Sequence, residues 1–185
     1  MVFYNTLSRP SALPIDLSEA KDHLRVIGND EDALIRQKIR TAMAHVENLT
    51  GHILTPGSFE YSAKAFDDVV HLDRYPVTEV TSIQYYDAGN TLQTLPTDDY
   101  IVNLRGFPVT IEPGILKTWP STANRHAAVI ITFAAGYTQN NLPAELKEAI
   151  LLVLSFLYDN RGDEGHRTLP KTIVDLIHPL KQMIS

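Results

Sequence analysis

Between residues 30 and 51 apolar side chains recur at three- and four-residue spacing: Leu34, Ile35, Ile39, Ala42, Met43, Val46 and Leu49. That period marks an amphipathic helix with one stripe to bury. Asp30 is placed to cap it, Glu31 and Asp32 sit where the helix dipole favours acids, and Gly51 is placed to end it. A shorter helix is expected from Asp16, whose side chain pairs with Glu19 in a capping-box spacing, to about Val26, with Gly28-Asn29 as the stop. Ile15 and Ala20 stand at the positions of a weak hydrophobic staple. A third helix follows Pro143, and from Ala149 to Tyr158 it is apolar almost all round, the mark of a buried central helix. Asp159 to Gly165 reads as a polar loop, Thr172 to Ile177 as a last helix, and Pro179 as a kink or restart. Residues 1–13 show no period and read as an extended arm.

The period changes from residue 54 to residue 137. This stretch holds six of the eleven prolines and many β-branched and aromatic residues. Segments 59–66, 77–86, 100–102, 109–111 and 129–133 read as strands, with Asp87-Ala88-Gly89-Asn90 as a turn between hairpin arms. The predicted architecture is α+β: a mainly helical core, with two N-terminal and two C-terminal helices, and an antiparallel β-rich insert. The boundaries expected are 1–14 for the arm, 15–53 plus 138–185 for the helical core, and 54–137 for the insert.

Composition narrows the chemistry. The 185 residues contain no cysteine, which excludes disulfide frameworks, thiolate metal sites and cysteine nucleophiles. The net charge is −6, and Lys+Arg against Asp+Glu run 6 to 7 in residues 1–53, 5 to 9 in 54–137 and 5 to 6 in 138–185. No segment is basic, so gripping nucleic acid through its phosphates is a poor expectation. The start lacks the basic and apolar runs of a signal peptide, and no apolar stretch nears the ~20 residues of a membrane span.

Searches for catalytic patterns return little. The histidines 23, 45, 52, 71, 126, 166 and 178 include no pair at helical metal spacing, although His45 and His52 flank a helix end. The acid pairs Asp67-Asp68, Asp98-Asp99 and Asp163-Glu164 fall in expected turns, where Asp serves local hydrogen bonding. No nucleophile elbow, phosphate loop or dinucleotide fingerprint occurs. No catalytic, metal-binding or cofactor-binding residue is therefore assigned. Tyr85, Tyr86, Tyr100, Phe107, Trp119, Phe133 and Tyr137 suit sheet packing better than base stacking, given the lack of basic partners. Of these, Tyr85, Tyr86 and Trp119 are candidates for inter-subunit contact.

Several segments together resemble a known family. Ile15 to Arg25 with Asp30 to Ile35, then Val46 to Gly51, Leu72 to Ile83 with Tyr85-Tyr86-Asp87, Ala135-Gly136-Tyr137, Leu142 to Leu152 and Tyr158 to Gly162 are similar, in order and spacing, to the gp6-like phage head–tail connectors, and in particular to the subgroup named after gp8 of phage phiE125. The resemblance spans roughly residues 15–165. It implies a structural subunit of the virion neck, made in the bacterial host cytoplasm and not an enzyme. It implies a dodecameric ring beneath the portal protein that offers a platform to the next tail-completion (stopper) protein. DNA would pass through the ring without specific binding, and no cofactor or membrane is involved. Leu176, Ile177, Leu180, Met183 and Ile184 leave an apolar C-terminal end, the candidate surface for the portal or another partner. Two alternatives stand beside this reading: a different tail-completion or neck protein, and a small phage-encoded enzyme using Asp67 or Asp98 with a metal.

Overall fold

The computed structural model describes residues 2–161 and 169–181. The described residues form two compact units: one from residues 2–10 and 56–136, and one from residues 11–55, 137–161 and 169–181.

The first unit is all β. Its larger sheet has the order β1-β2-β8-β4-β5, from Phe3–Ser8, Gly57–Ala63, Val129–Ala135, Val77–Tyr86 and Leu92–Thr94, and every pairing is antiparallel. Its smaller sheet has the order β3-β7-β6, from Val70–Leu72, Val109–Pro113 and Tyr100–Asn103. The central strand β8 explains the arrangement. Val129, Ile131, Phe133 and Ala135 alternate with half-buried neighbours, so one face of the strand is apolar and closed off from water. Burying each such large side chain is worth roughly 1.5–3 kcal/mol. Phe59 stacks beside Phe133 at 5.8 Å, and Tyr61 lies opposite Ile131 on the same face.

Tyr4 of β1 ties the two sheets together. Its hydroxyl accepts from the Asp73 amide at 2.9 Å, beside the end of β3, and its ring meets the edges of Tyr61 and Phe133 at 5.6 and 6.3 Å. Burial pushes its phenol pKa up to about 12.

The second unit is helical: α1 (Leu17–Leu24), α2 (Asp32–Thr50), α3 (Ala144–Asp159), α4 (Lys171–Ile177) and a 3-10 turn at His178–Leu180. The stripe of α2 buries Ile35, Ile39, Ala42 and Val46, and α3 buries Leu146, Ala149, Ile150, Leu151, Val153 and Leu154. These two helices pack together and carry most of the unit's core. Gly51 ends α2 at φ 78°, a left-handed conformation that costs other residues free energy.

The capping differs from expectation. Asp16 precedes α1, but its carboxylate accepts from the Gln139 side chain at 3.1 Å and makes no cap bond. Helix α2 starts at Asp32, one residue after Glu31, whose carboxylate is taken by the Tyr158 hydroxyl and by Arg161 at 2.8 Å. Hydrogen bonding to Tyr158 and the Arg161 charge hold that carboxyl below the usual range.

One expectation is corrected outright. The chain is not a mainly helical core carrying an insert: the described residues are 32% helical and 28% strand, with eight strands in two antiparallel sheets beside four helices. Helix stripes are conspicuous in a sequence, whereas β1 exposes all but one half-buried residue, and β3 and β5 have three residues each. Strands this exposed or this short carry too little apolar alternation to read.

Candidate assembly surfaces

Three patches could meet other chains. The first is the C-terminal segment. Pro170 precedes α4, which presents Leu176 at 60% exposure and sends Ile177 fully into the helical core. Leu180 is half-buried, and its carbonyl meets His52 Nε2 at 3.1 Å. His52 is 6% exposed; its Nδ1 lies 3.0 Å from the Tyr137 hydroxyl, with the two rings stacked at 5.8 Å. A carbonyl can only accept, so Nε2 carries the proton and Nδ1 accepts from Tyr137. The five C-terminal apolar residues thus divide: Leu176 faces water, Leu180 partly does, Ile177 does not, and Met183 and Ile184 lie outside the described residues.

The second patch is aromatic. Trp119 stacks on Phe66 at 4.5 Å with ring planes 6° apart, and its indole N–H donates to the Asp68 carbonyl at 3.2 Å. Tyr85 meets the edge of Phe66 at 6.0 Å, so Tyr85, Phe66 and Trp119 form one half-buried cluster. Tyr86 instead lies under the Arg125 guanidinium, 3.7 Å from the ring centre.

The third patch was not signalled by the sequence. After β7 the chain turns through Gly114, whose N–H donates to the Asp99 carbonyl at 2.8 Å. A Cβ at Gly114 would lie 3.0 Å from the Asp98 carbonyl oxygen, so any larger residue would push this close approach apart by a few tenths of an ångström. The next two residues, Ile115 and Leu116, are 83% and 100% exposed, and Leu116 sits at φ 62°. Lys117 then returns to Asp99 through a 3.0 Å ion pair. The loop thus holds an apolar tip against Thr97–Asp99. No period or motif marks it, because its shape depends on a close approach between distant segments.

An open groove of about 320 Å³ lies in the helical unit, lined by Leu13, Ile15 and Leu17, by Arg36 and Arg40 of α2, and by Gln139 among others. Arg36 and Arg40 are exposed, one helical turn apart.

None of these places is organised for catalysis. Among the described residues no group of three or more His, Asp or Glu could hold a metal ion. Asp67 and Asp68 are exposed, Asp99 is paired with Lys117, and His52 is committed to Tyr137 and Leu180. Asp163 and Glu164 lie outside the described residues. Among the described residues no helix is long and apolar enough to cross a membrane.

Comparison with known proteins gives the following. Residues 14–104 match the family model of the phage gp6-like head-tail connector proteins. No curated protein matches the sequence. Among solved structures, a chain from the neck of an empty gene transfer agent particle, computed with C6 symmetry, superposes with a TM-score of 0.80 at 23% identity, covering 99% of this chain and 97% of that one. A chain from the virion of a native gene transfer agent particle gives 0.79 at 23% identity with the same coverage. A chain from the neck of a native particle, computed with C12 symmetry, gives 0.74 at 25% identity, again with that coverage.

Proposed function

We propose, from the premise that this chain belongs to the gp6-like head-tail connector family and is a structural subunit of a phage or phage-like neck, that it works as an adaptor ring docked beneath the portal protein. The observation that carries this reading is agreement at two levels. The family match spans α1, α2 and strands β2 to β6, and the fold is shared over 99% of the chain with chains of particle necks. The ring has twelve subunits, in keeping with the C12 symmetry of one such neck. Its far side receives the next tail-completion protein. DNA passes through the lumen, and a net charge of −6 with no basic segment suits passage without retention.

A closed ring needs two different, complementary patches on each subunit. The portal contact is assigned to Leu176 and Leu180, the described members of the C-terminal apolar set that are not sealed in the core. Tyr85, Tyr86 and Trp119 are assigned to a subunit contact, with Phe66 fixing two of the three rings.

The test is electron microscopy of a lysate in which this gene carries an early stop codon, with a complemented control. Unjoined heads beside finished tails are expected. Normal infectious particles would overturn the reading.

A further inference from the structure

We infer that the apolar tip Ile115-Leu116 of one copy seats in the arginine-walled groove of the next copy, which gives the ring one of its subunit-to-subunit contacts. The inference rests on the ring reading above and names the two surfaces that meet.

The tip is a feature a solitary soluble chain gains nothing from. Two adjacent aliphatic side chains are almost wholly in water, and the backbone of Leu116 adopts a left-handed conformation that costs roughly 1–2 kcal/mol for a residue with a Cβ. The surrounding structure enforces that conformation. Gly114 is locked against Asp98 and Asp99, and Lys117 is paired back to Asp99. Strain held in place by neighbours points to use of the residue it displays. The ordering cost of the tip is met before any partner arrives.

The groove has the matching character. Leu13 and Leu17 offer an apolar strip in an otherwise polar lining, and the open groove of about 320 Å³ has room for two aliphatic side chains. Arg36 and Arg40 stand on its wall with no ion-pair partner among the described residues. Asp16 also lines the groove, but its carboxylate is engaged by Gln139. The charges around the tip have the opposite sign. Asp98 and Glu112 are exposed and unpaired among the described residues, and Asp99 and Lys117 cancel. Two free acids beside an apolar tip therefore face two free arginines on a groove that carries an apolar strip. The tip belongs to the β unit and the groove to the helical unit. The contact is thus heterologous, the kind that can propagate from copy to copy and close into a ring.

The chain's lack of cysteine makes the test clean. Full-length Leu116→Cys/Arg40→Cys is expressed in particle-producing cells in place of the native chain, and purified particles are treated with a short bismaleimide. A ladder of species larger than dimer is expected on a denaturing gel, with at most dimers from either single variant. No ladder, or a link confined within one chain, in particles whose necks contain the protein would overturn this contact and leave the ring standing. Particles whose necks lack the native chain would overturn the ring reading itself. A second measurement uses charge. Arg36→Glu/Arg40→Glu should reduce incorporation into particles by about tenfold or more while the helical circular dichroism of the free chain is unchanged. Adding Asp98→Lys/Glu112→Lys in the same chain should restore it. Loss without restoration would mean that another protein's acidic segment occupies the groove, and would overturn the inference.

Discussion

His52 should make the helical unit less stable in mild acid, and the size of the effect can be bounded. Its ring is 6% exposed, stacked on Tyr137 and held between the Tyr137 hydroxyl and the Leu180 carbonyl. Burial pushes its pKa below the ordinary 6.5, and the Leu180 carbonyl offsets part of that shift. The unfolded chain therefore takes up a proton at this position at a higher pH than the folded chain does. The contribution of His52 is complete above about pH 6.5 and declines as pH falls from there through the lowered folded value. One proton sets the steepest slope, about 1.4 kcal/mol per pH unit, and below the folded value the loss levels off. His52→Gln removes the titration and keeps a donor and an acceptor of similar reach. At pH 8 it should cost about 1 kcal/mol, from imperfect hydrogen bonds and lost stacking. Urea unfolding of both proteins, followed by helical circular dichroism from pH 8 to pH 5, measures the difference. The native chain's advantage should shrink as pH falls, and could reverse. A difference that stays constant across that range would refute the argument.

Other perturbations have defined outcomes. Ile39→Ala opens a cavity where α2 meets α3 and should cost about 2–5 kcal/mol in chemical denaturation, while Ala44→Ser on the exposed face of the same helix should cost under about 0.5 kcal/mol. Gly51→Ala forces a Cβ into a left-handed position and should lower stability by roughly 1–2 kcal/mol, read as a lower urea midpoint with unchanged slope. Leu176→Asp leaves the core intact and should leave thermal stability unchanged while abolishing co-purification with portal protein; retained co-purification would remove α4 from the proposed portal contact. Tyr4→Phe deletes the hydroxyl that receives the Asp73 amide and should cost about 1 kcal/mol in thermal unfolding of the β unit.

Legibility followed the physics of each element. The stripe of α2 was readable because a long helix repeats its period, and Ile35, Ile39, Ala42 and Val46 are all buried. Strand β4 was readable over its whole length, as was the turn into β5, where the Asp87 carboxylate accepts from the Gly89 and Thr91 amides. Helix starts were less readable: Asp16 spends its carboxylate on Gln139, and α2 begins after Glu31 rather than after Asp30, the expected cap. Strand β1 was missed because an edge strand with only Tyr4 half-buried has no alternation to detect. The aromatic candidates were named from residue type, but only distances reveal that Phe66, and not Tyr86, completes the cluster with Tyr85 and Trp119. The tip at Ile115-Leu116 and its glycine lock left no local signal at all.

The register of β2 on β8 has a consequence for the order of folding. Gly57 lies opposite Ala135, and immediately beyond that pair the Tyr137 amide donates to the Ile53 carbonyl at 3.1 Å. Helices α2 and α3 are remote in the chain, and closing a flexible loop of about 90 residues between them would cost about 4 kcal/mol in entropy, apart from a constant. Once β2 has zipped onto β8, that closure has already been made, and α3 meets α2 as though the intervening segment were a hairpin. Nucleation in the sheet should therefore precede consolidation of the helix pair. A nascent chain that has not yet emerged as far as β8 has no fast route to its helical core.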